Sequence, residues 1–147
     1  MIRRRVLRSF RESERGATFV EFALIAPFLV FATLGGIEFA RAVSSYQTAN
    51  ESMRVAVRYL ARIPASTTKS WAVSNAKNLA SYGSITVPTP APTPIVPIAN
   101  VNNPTASGTP TVVTMTADVP YTSGLLSGFG FSGITFHISH QERVIGE

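Results

Sequence analysis

One stretch decides what this chain can fold into. Ala17–Ala40 is uncharged except at Glu21 and Glu38. The fully uncharged part, Phe22–Ile37, is a little short for a membrane span. With Ala17–Val20 and Phe39–Ala40 it reaches roughly the 20 residues that cross about 30 Å of hydrocarbon. A single segment satisfies its own backbone in lipid only as a helix. A carboxylate at the bilayer centre costs about 2.5–3.5 kcal/mol, and less near an interface, so such a group has a partner or a task.

The residues before this run sharpen the picture. Arg3, Arg4, Arg5, Arg8, Arg11 and Arg15 precede it, opposed only by Glu12 and Glu14. Beyond Arg62 the basic residues are Lys69, Lys77 and Arg143 alone. The net charge of +5 therefore describes an N-terminal arm and one helix, not a whole surface. An arginine cluster directly before an apolar span reads as a cytoplasmic flank under the positive-inside rule. A nucleic-acid-binding arm is disfavoured, because the span follows it at once. The chain has no cysteine, which removes disulfides, thiol nucleophiles and thiolate metal sites.

The 147 residues divide by composition. Residues 1–16 read as a basic cytoplasmic leader and 17–40 as a transmembrane helix. Pro27 removes a hydrogen-bond donor within it, and Gly35-Gly36 is a second soft point. Ala32, Gly36 and Ala40 form a small-residue stripe on which another helix can approach closely. Residues 41–63 read as an amphipathic extension. Val43, Tyr46, Asn50, Met53, Val57 and Leu60 alternate spacings of three and four, while Arg54, Arg58 and Arg62 lie on another face, with Glu51 one turn before Arg54. Pro64 ends the pattern. One helix from Ala17 to Ile63 would measure about 70 Å. A break at Gly35-Gly36 is the alternative.

Residues 64–147 read as a small α+β domain. Ser66-Thr67-Thr68 is a candidate cap for a helix running to about Ser81, with Trp71, Ala72, Ala76, Leu79 and Ala80 available for packing. Residues 87–110 form a loop rich in proline, threonine and asparagine, with a candidate strand at Ser84–Val87. Two runs of period two follow, one through Val113, Met115, Ala117 and Val119 and one through Ile134, Phe136 and Ile138. The connection between them is apolar at Leu125, Leu126, Phe129 and Phe131. A small antiparallel sheet packed on the emergent helix is the simplest arrangement.

Enzyme motifs fail on context. Gly128, Gly130 and Gly133 match G-x-G-x-x-G, but a strand pattern follows where dinucleotide binding needs a helix. Ser66 and Lys69 match S-x-x-K without its companion motifs. His137 and His140 fall on opposite faces of a strand and cannot share a metal. Asp118 has no evident carboxylate partner. Glu38 and Arg41, at i and i+3, read as a structural pair. No catalytic, cofactor or metal constellation emerges.

Glu21 has no basic residue one turn away on either side. Cleavage after Gly16 would give Ala17 a new α-amino group, largely protonated at neutral pH. In a neighbouring subunit that ammonium can pair with Glu21, so the carboxylate would favour registered assembly. An interfacial glutamate reaching headgroup water is the alternative.

Gly16, four residues, then Glu21-Phe22 resembles the processing site of type IV prepilin-like proteins in its Tad/Flp form. The stretch Arg15-Gly16-Ala17, Val20-Glu21-Phe22-Ala23-Leu24, Pro27 and Ile37-Glu38-Phe39-Ala40-Arg41-Ala42 resembles the TadE-like pseudopilin family. The resemblance covers about a third of the chain. It implies a minor pilin-like subunit of the tight-adherence pilus machinery, not an enzyme. It also implies a single pass through the bacterial inner membrane, the N-terminus cytoplasmic and the C-terminal domain extracytoplasmic, with pilus association at the cell surface. Implied partners are membrane lipid, a prepilin peptidase cutting between Gly16 and Ala17, other Tad minor pilins and the major Flp pilin, with no nucleic acid. Glu21 would be the recognition and assembly acid, and Phe22 would complete the motif. The outer flank is basic too, at Arg41, Arg54 and Arg58, which departs from the expected charge asymmetry. The alternative is a signal-anchored or secreted envelope protein outside any pilus. Ala40-Arg41-Ala42 resembles a signal-peptidase site that would leave Val43 at the new N-terminus.

Overall fold

The computed structural model describes residues 14–109, 111–124, 127, 130 and 133–145. The leader up to residue 13 lies outside the described residues, as do Leu125, Leu126, Gly128, Phe129 and Phe131. The architecture is α+β: helix α1 (Glu14–Ala61), helix α2 (Ser70–Tyr82) and strands β1 (Thr105–Ser107), β2 (Val112–Tyr121) and β3 (Ile134–Arg143). Tertiary contacts separate two units, Met1–Ala40 and Arg41–Glu147, and α1 contributes to both.

In the first unit α1 is helical from Glu14, inside the expected leader. It continues unbroken through Pro27 and through Gly35-Gly36, so the helix break considered from sequence does not occur. The large apolar side chains here stay exposed, Leu24 at 76% and Phe28 at 72%. Thr33 donates its hydroxyl to the Leu29 carbonyl at 2.8 Å, which hides its polar group on the helix.

In the second unit the same helix turns one face into a core. Ala49, Met53, Ala56, Val57 and Leu60 are fully buried. The expected seam holds from Met53 onward. Upstream it is shifted: Val43 and Tyr46 are exposed, and Ala42 and Ala49 take the inward positions. The sequence reading favoured bulk, whereas close packing at this end selects small side chains. Tyr46 still meets the Phe136 ring edge-on, with centroids 5.4 Å apart. The helix ends at Ala61, two residues before the expected Ile63, as the Ile63 amide bonds the Leu60 carbonyl.

Ser66–Thr68 forms a separate 3-10 turn and does not cap the next helix. Lys69 occupies the N-cap of α2 without a side-chain cap bond. Ala72, Ala76 and Ala80 recur every fourth residue and are buried against the core, while Trp71 is 53% exposed and does not pack as expected. Gly83 ends α2 in the left-handed conformation at φ 66, and its amide bonds the Leu79 carbonyl at 2.9 Å.

The sheet is antiparallel in the order β1-β2-β3. Residues 84–87 form no strand. The third strand arises instead inside the proline-rich segment, at Thr105–Ser107 opposite Val112–Thr114. That segment is also more than a loop, because Val96 and Val101 insert into the core and Val101 bridges Ala117. Its proline content hid these contacts from periodicity. In the β2–β3 ladder Val113, Met115, Ala117 and Val119 stand opposite Glu142, His140, Ile138 and Phe136 on the inner face. The Ile145 amide then donates to the Ala61 carbonyl at 3.0 Å, which ties the end of β3 to the last turn of α1.

Candidate processing and assembly segment

The Gly16–Ala17 bond lies within the described helical residues of α1. Gly16 is half-buried and Ala17 exposed. Glu21 is exposed one turn further on, next to Phe22, which is also exposed. Among the described residues no hydrogen bond or ion pair is made by Glu21 within the chain.

Ala32, Gly36 and Ala40 are all exposed on the helix. A Cβ added at Gly35 or Gly36 would meet no atom within 4 Å. Glycine in a helix interior costs about 1 kcal/mol relative to alanine. Packing among the described residues therefore recovers nothing for these two glycines. Glu38 is 4% exposed and Arg41 is exposed, and neither stands free.

The remaining sequence candidates resolve into structural roles. Ser66 is buried, and its hydroxyl has no hydrogen-bond partner among the described residues. His137 and Asp118 are directly opposite across the β2–β3 ladder and bond through Nδ1 and Oδ1 on the outer face. This cross-strand partner for Asp118 was invisible without the register. His140 faces inward and bonds the Asn50 side chain of α1 at 2.8 Å. The two histidines thus lie on opposite faces, as their spacing predicts. Among the described residues no group of three or more His, Asp or Glu side chains could hold a metal. Arg58 donates to Glu142 at 3.1 Å across the helix–sheet contact. Asn75 donates to the Tyr59 hydroxyl at 3.1 Å, joining α2 to α1.

Residues 16–58 match the family described as TadE-like protein. This segment is TadE-like. The match begins at Gly16 and ends at Arg58, so it takes in the whole apolar half of α1 and most of the half that builds the core. No curated protein and no solved structure matches the chain. The TadE-like segment contains a helix long and apolar enough to cross a membrane, with none of its apolar window buried inside the protein.

Proposed function

We propose that this protein is a minor pilin-like, TadE-like subunit that assists assembly of a Tad/Flp-type pilus used in adherence. It acts as a structural component, not a catalyst. The apolar part of α1 anchors it in the bacterial inner membrane in a single pass, with the basic leader in the cytoplasm and residues 41–147 outside. A prepilin peptidase removes the leader between Gly16 and Ala17. The new Ala17 ammonium of one subunit then pairs with Glu21 of the next. Other Tad minor pilins and the major Flp pilin are the proposed protein partners, and Ala32, Gly36 and Ala40 form the helix-packing stripe.

One observation carries this reading: α1 is a single helix whose TadE-like apolar half leaves its large apolar side chains exposed. Such a surface is stable only in lipid or against other apolar helices. The two glycines fit the second environment, because their cost within the chain is offset only when a neighbouring backbone comes close.

The mature N-terminus tests the proposal. Mass spectrometry of the protein from cells carrying the cognate peptidase should find Ala17 first. Gly16→Leu should leave the precursor intact, since a bulky side chain blocks the cleavage position. An uncleaved wild type would remove the Glu21 counter-ion and with it the assembly mechanism. Val43 at the N-terminus would establish the secreted alternative.

A further inference from the structure

Within the second unit β3 and α1 run in the same direction. Tyr46, Asn50, Arg58 and Ala61 of α1 meet Phe136, His140, Glu142 and Ile145 in that order. The end of the sheet where β2 passes to β3 therefore lies on the Arg41 side of the unit. From Phe136 back to Ile134 a strand covers about 7 Å. From Tyr46 back to Arg41 a helix covers about 7.5 Å. Ile134 and its ladder partner Tyr121 thus stand level with Arg41, the residue that directly follows the apolar run 17–40. This end differs in chemistry from the far one. Val43, Tyr46 and Ile134 are exposed, and Tyr121 is half-buried with its ring centroid 6.2 Å from that of Phe136. Residues 119–136 contain no charged side chain. At the far end β3 carries Glu142 and Arg143, and α1 carries Arg58 and Arg62. A unit surrounded by water has no reason to keep charge off one end of its sheet.

We propose that this end of the second unit rests in the headgroup–acyl boundary of the bilayer, with Val43, Tyr46, Tyr121 and Ile134 against lipid. Tyrosine suits that boundary, because its ring is apolar and its hydroxyl polar. Arg41, exposed at the same level, adds attraction to anionic headgroups. The level of Ile134 selects lipid as the occupant: the membrane surface lies where the apolar run ends, and contact with it requires no second protein. The contact rests on the anchor reading above and adds a second point of attachment to it. A lone membrane helix leaves the domain free to rotate about the helix axis. A sheet end seated in lipid beside that helix restricts the rotation and so presents a fixed face of the domain to its neighbours.

The chain has no cysteine, so a nitroxide label can be placed at one position at a time on the full-length protein. The protein is studied in vesicles of phosphatidylcholine and phosphatidylglycerol. Ile134→Cys and Ile145→Cys replace side chains that are 57% and 72% exposed, so both spare the core. They mark the two ends of the same strand. Collisions with oxygen, which concentrates in lipid, and with a water-soluble nickel complex report what surrounds each label. Groups seated in the boundary lie about 5–10 Å into it, so nickel collisions at Ile134→Cys should be about tenfold rarer than at Ile145→Cys, while oxygen collisions stay frequent. Equal nickel access at the two positions would overturn the proposal. Low access to both probes at Ile134→Cys would overturn it too, because that pattern marks cover by protein, whether a second copy or another subunit. Leu24→Cys tests the anchor separately. Nickel access there would sink the anchor reading, whereas lipid around Leu24→Cys with water around Ile134→Cys would sink the seated sheet end alone.

Discussion

The two halves of α1 share one backbone geometry and opposite fates. In Phe22–Phe39 the largest side chains point into the surroundings, Phe22, Leu24 and Phe28 all more than half exposed. In Ala49–Leu60 the buried side chains are fewer and smaller, yet five of them are fully enclosed. Hydrophobicity is thus highest where no large apolar side chain is buried among the described residues. Helix formation is common to both halves and so explains neither difference. What differs is what covers the apolar surface: α2 and the sheet in the second unit, and none of the described residues in the first. Total apolar content is a poor guide to where a core lies, and the pattern of small residues is a better one.

The largest expected effect separates the halves directly. Leu60→Ala removes a fully buried side chain and should destabilise the second unit by about 2–5 kcal/mol. Leu24→Ala removes a side chain that touches solvent or lipid, and should leave that unfolding transition unchanged within error. Chemical denaturation of full-length protein in mild detergent, followed by near-UV circular dichroism, compares the two. Equal losses would mean that the apolar half is buried against the domain, and the contrast between the halves would fail.

How far the sequence foretold this contrast depends on the kind of signal. The membrane-length run, the helix continuing past it and both long strands were legible because their periods are long and uninterrupted. The shift from Val43 and Tyr46 to Ala42 and Ala49 was not, since periodicity ranks residues by bulk and helix contacts at short range are set by clearance. Strand β1 was hidden because Thr105–Ser107 is short and sits among prolines, and its pairing with Val112–Thr114 is a long-range fact. The candidate processing and assembly segment rests on residue type and spacing alone. The His137–Asp118 and Arg58–Glu142 pairs required the strand register, which no local pattern supplies.

A second test sharpens the comparison through glycine. Gly35 and Gly36 have open space around them, whereas a Cβ at Gly133 would lie 2.5 Å from the Tyr121 carbonyl oxygen. That oxygen belongs to the backbone at the end of β2 and cannot rotate away. Gly133→Ala should therefore cost about 1–3 kcal/mol in the second unit, in the range of forced overpacking. Gly36→Ala should raise the helix propensity of α1 and leave the domain's midpoint in place. A neutral Gly133→Ala would show that the β2–β3 connection yields, and that the close approach there is not a constraint.

The smallest effect concerns charge on the outer row of α1. Arg58 and Glu142 join helix to sheet, but both side chains are more than a third exposed. Water screens such a pair, and exposed ion pairs contribute less than about 1 kcal/mol. Arg58→Ala should shift the unfolding midpoint only slightly, and added salt should erase most of the difference. A double-mutant cycle over Arg58 and Glu142, read by chemical denaturation at low and high salt, isolates the pair. A coupling of a few tenths of a kcal/mol that fades with salt would make it a screened clasp between helix and sheet. A coupling above about 1 kcal/mol that salt leaves unchanged would mean that the sheet shields the pair from water despite its exposure.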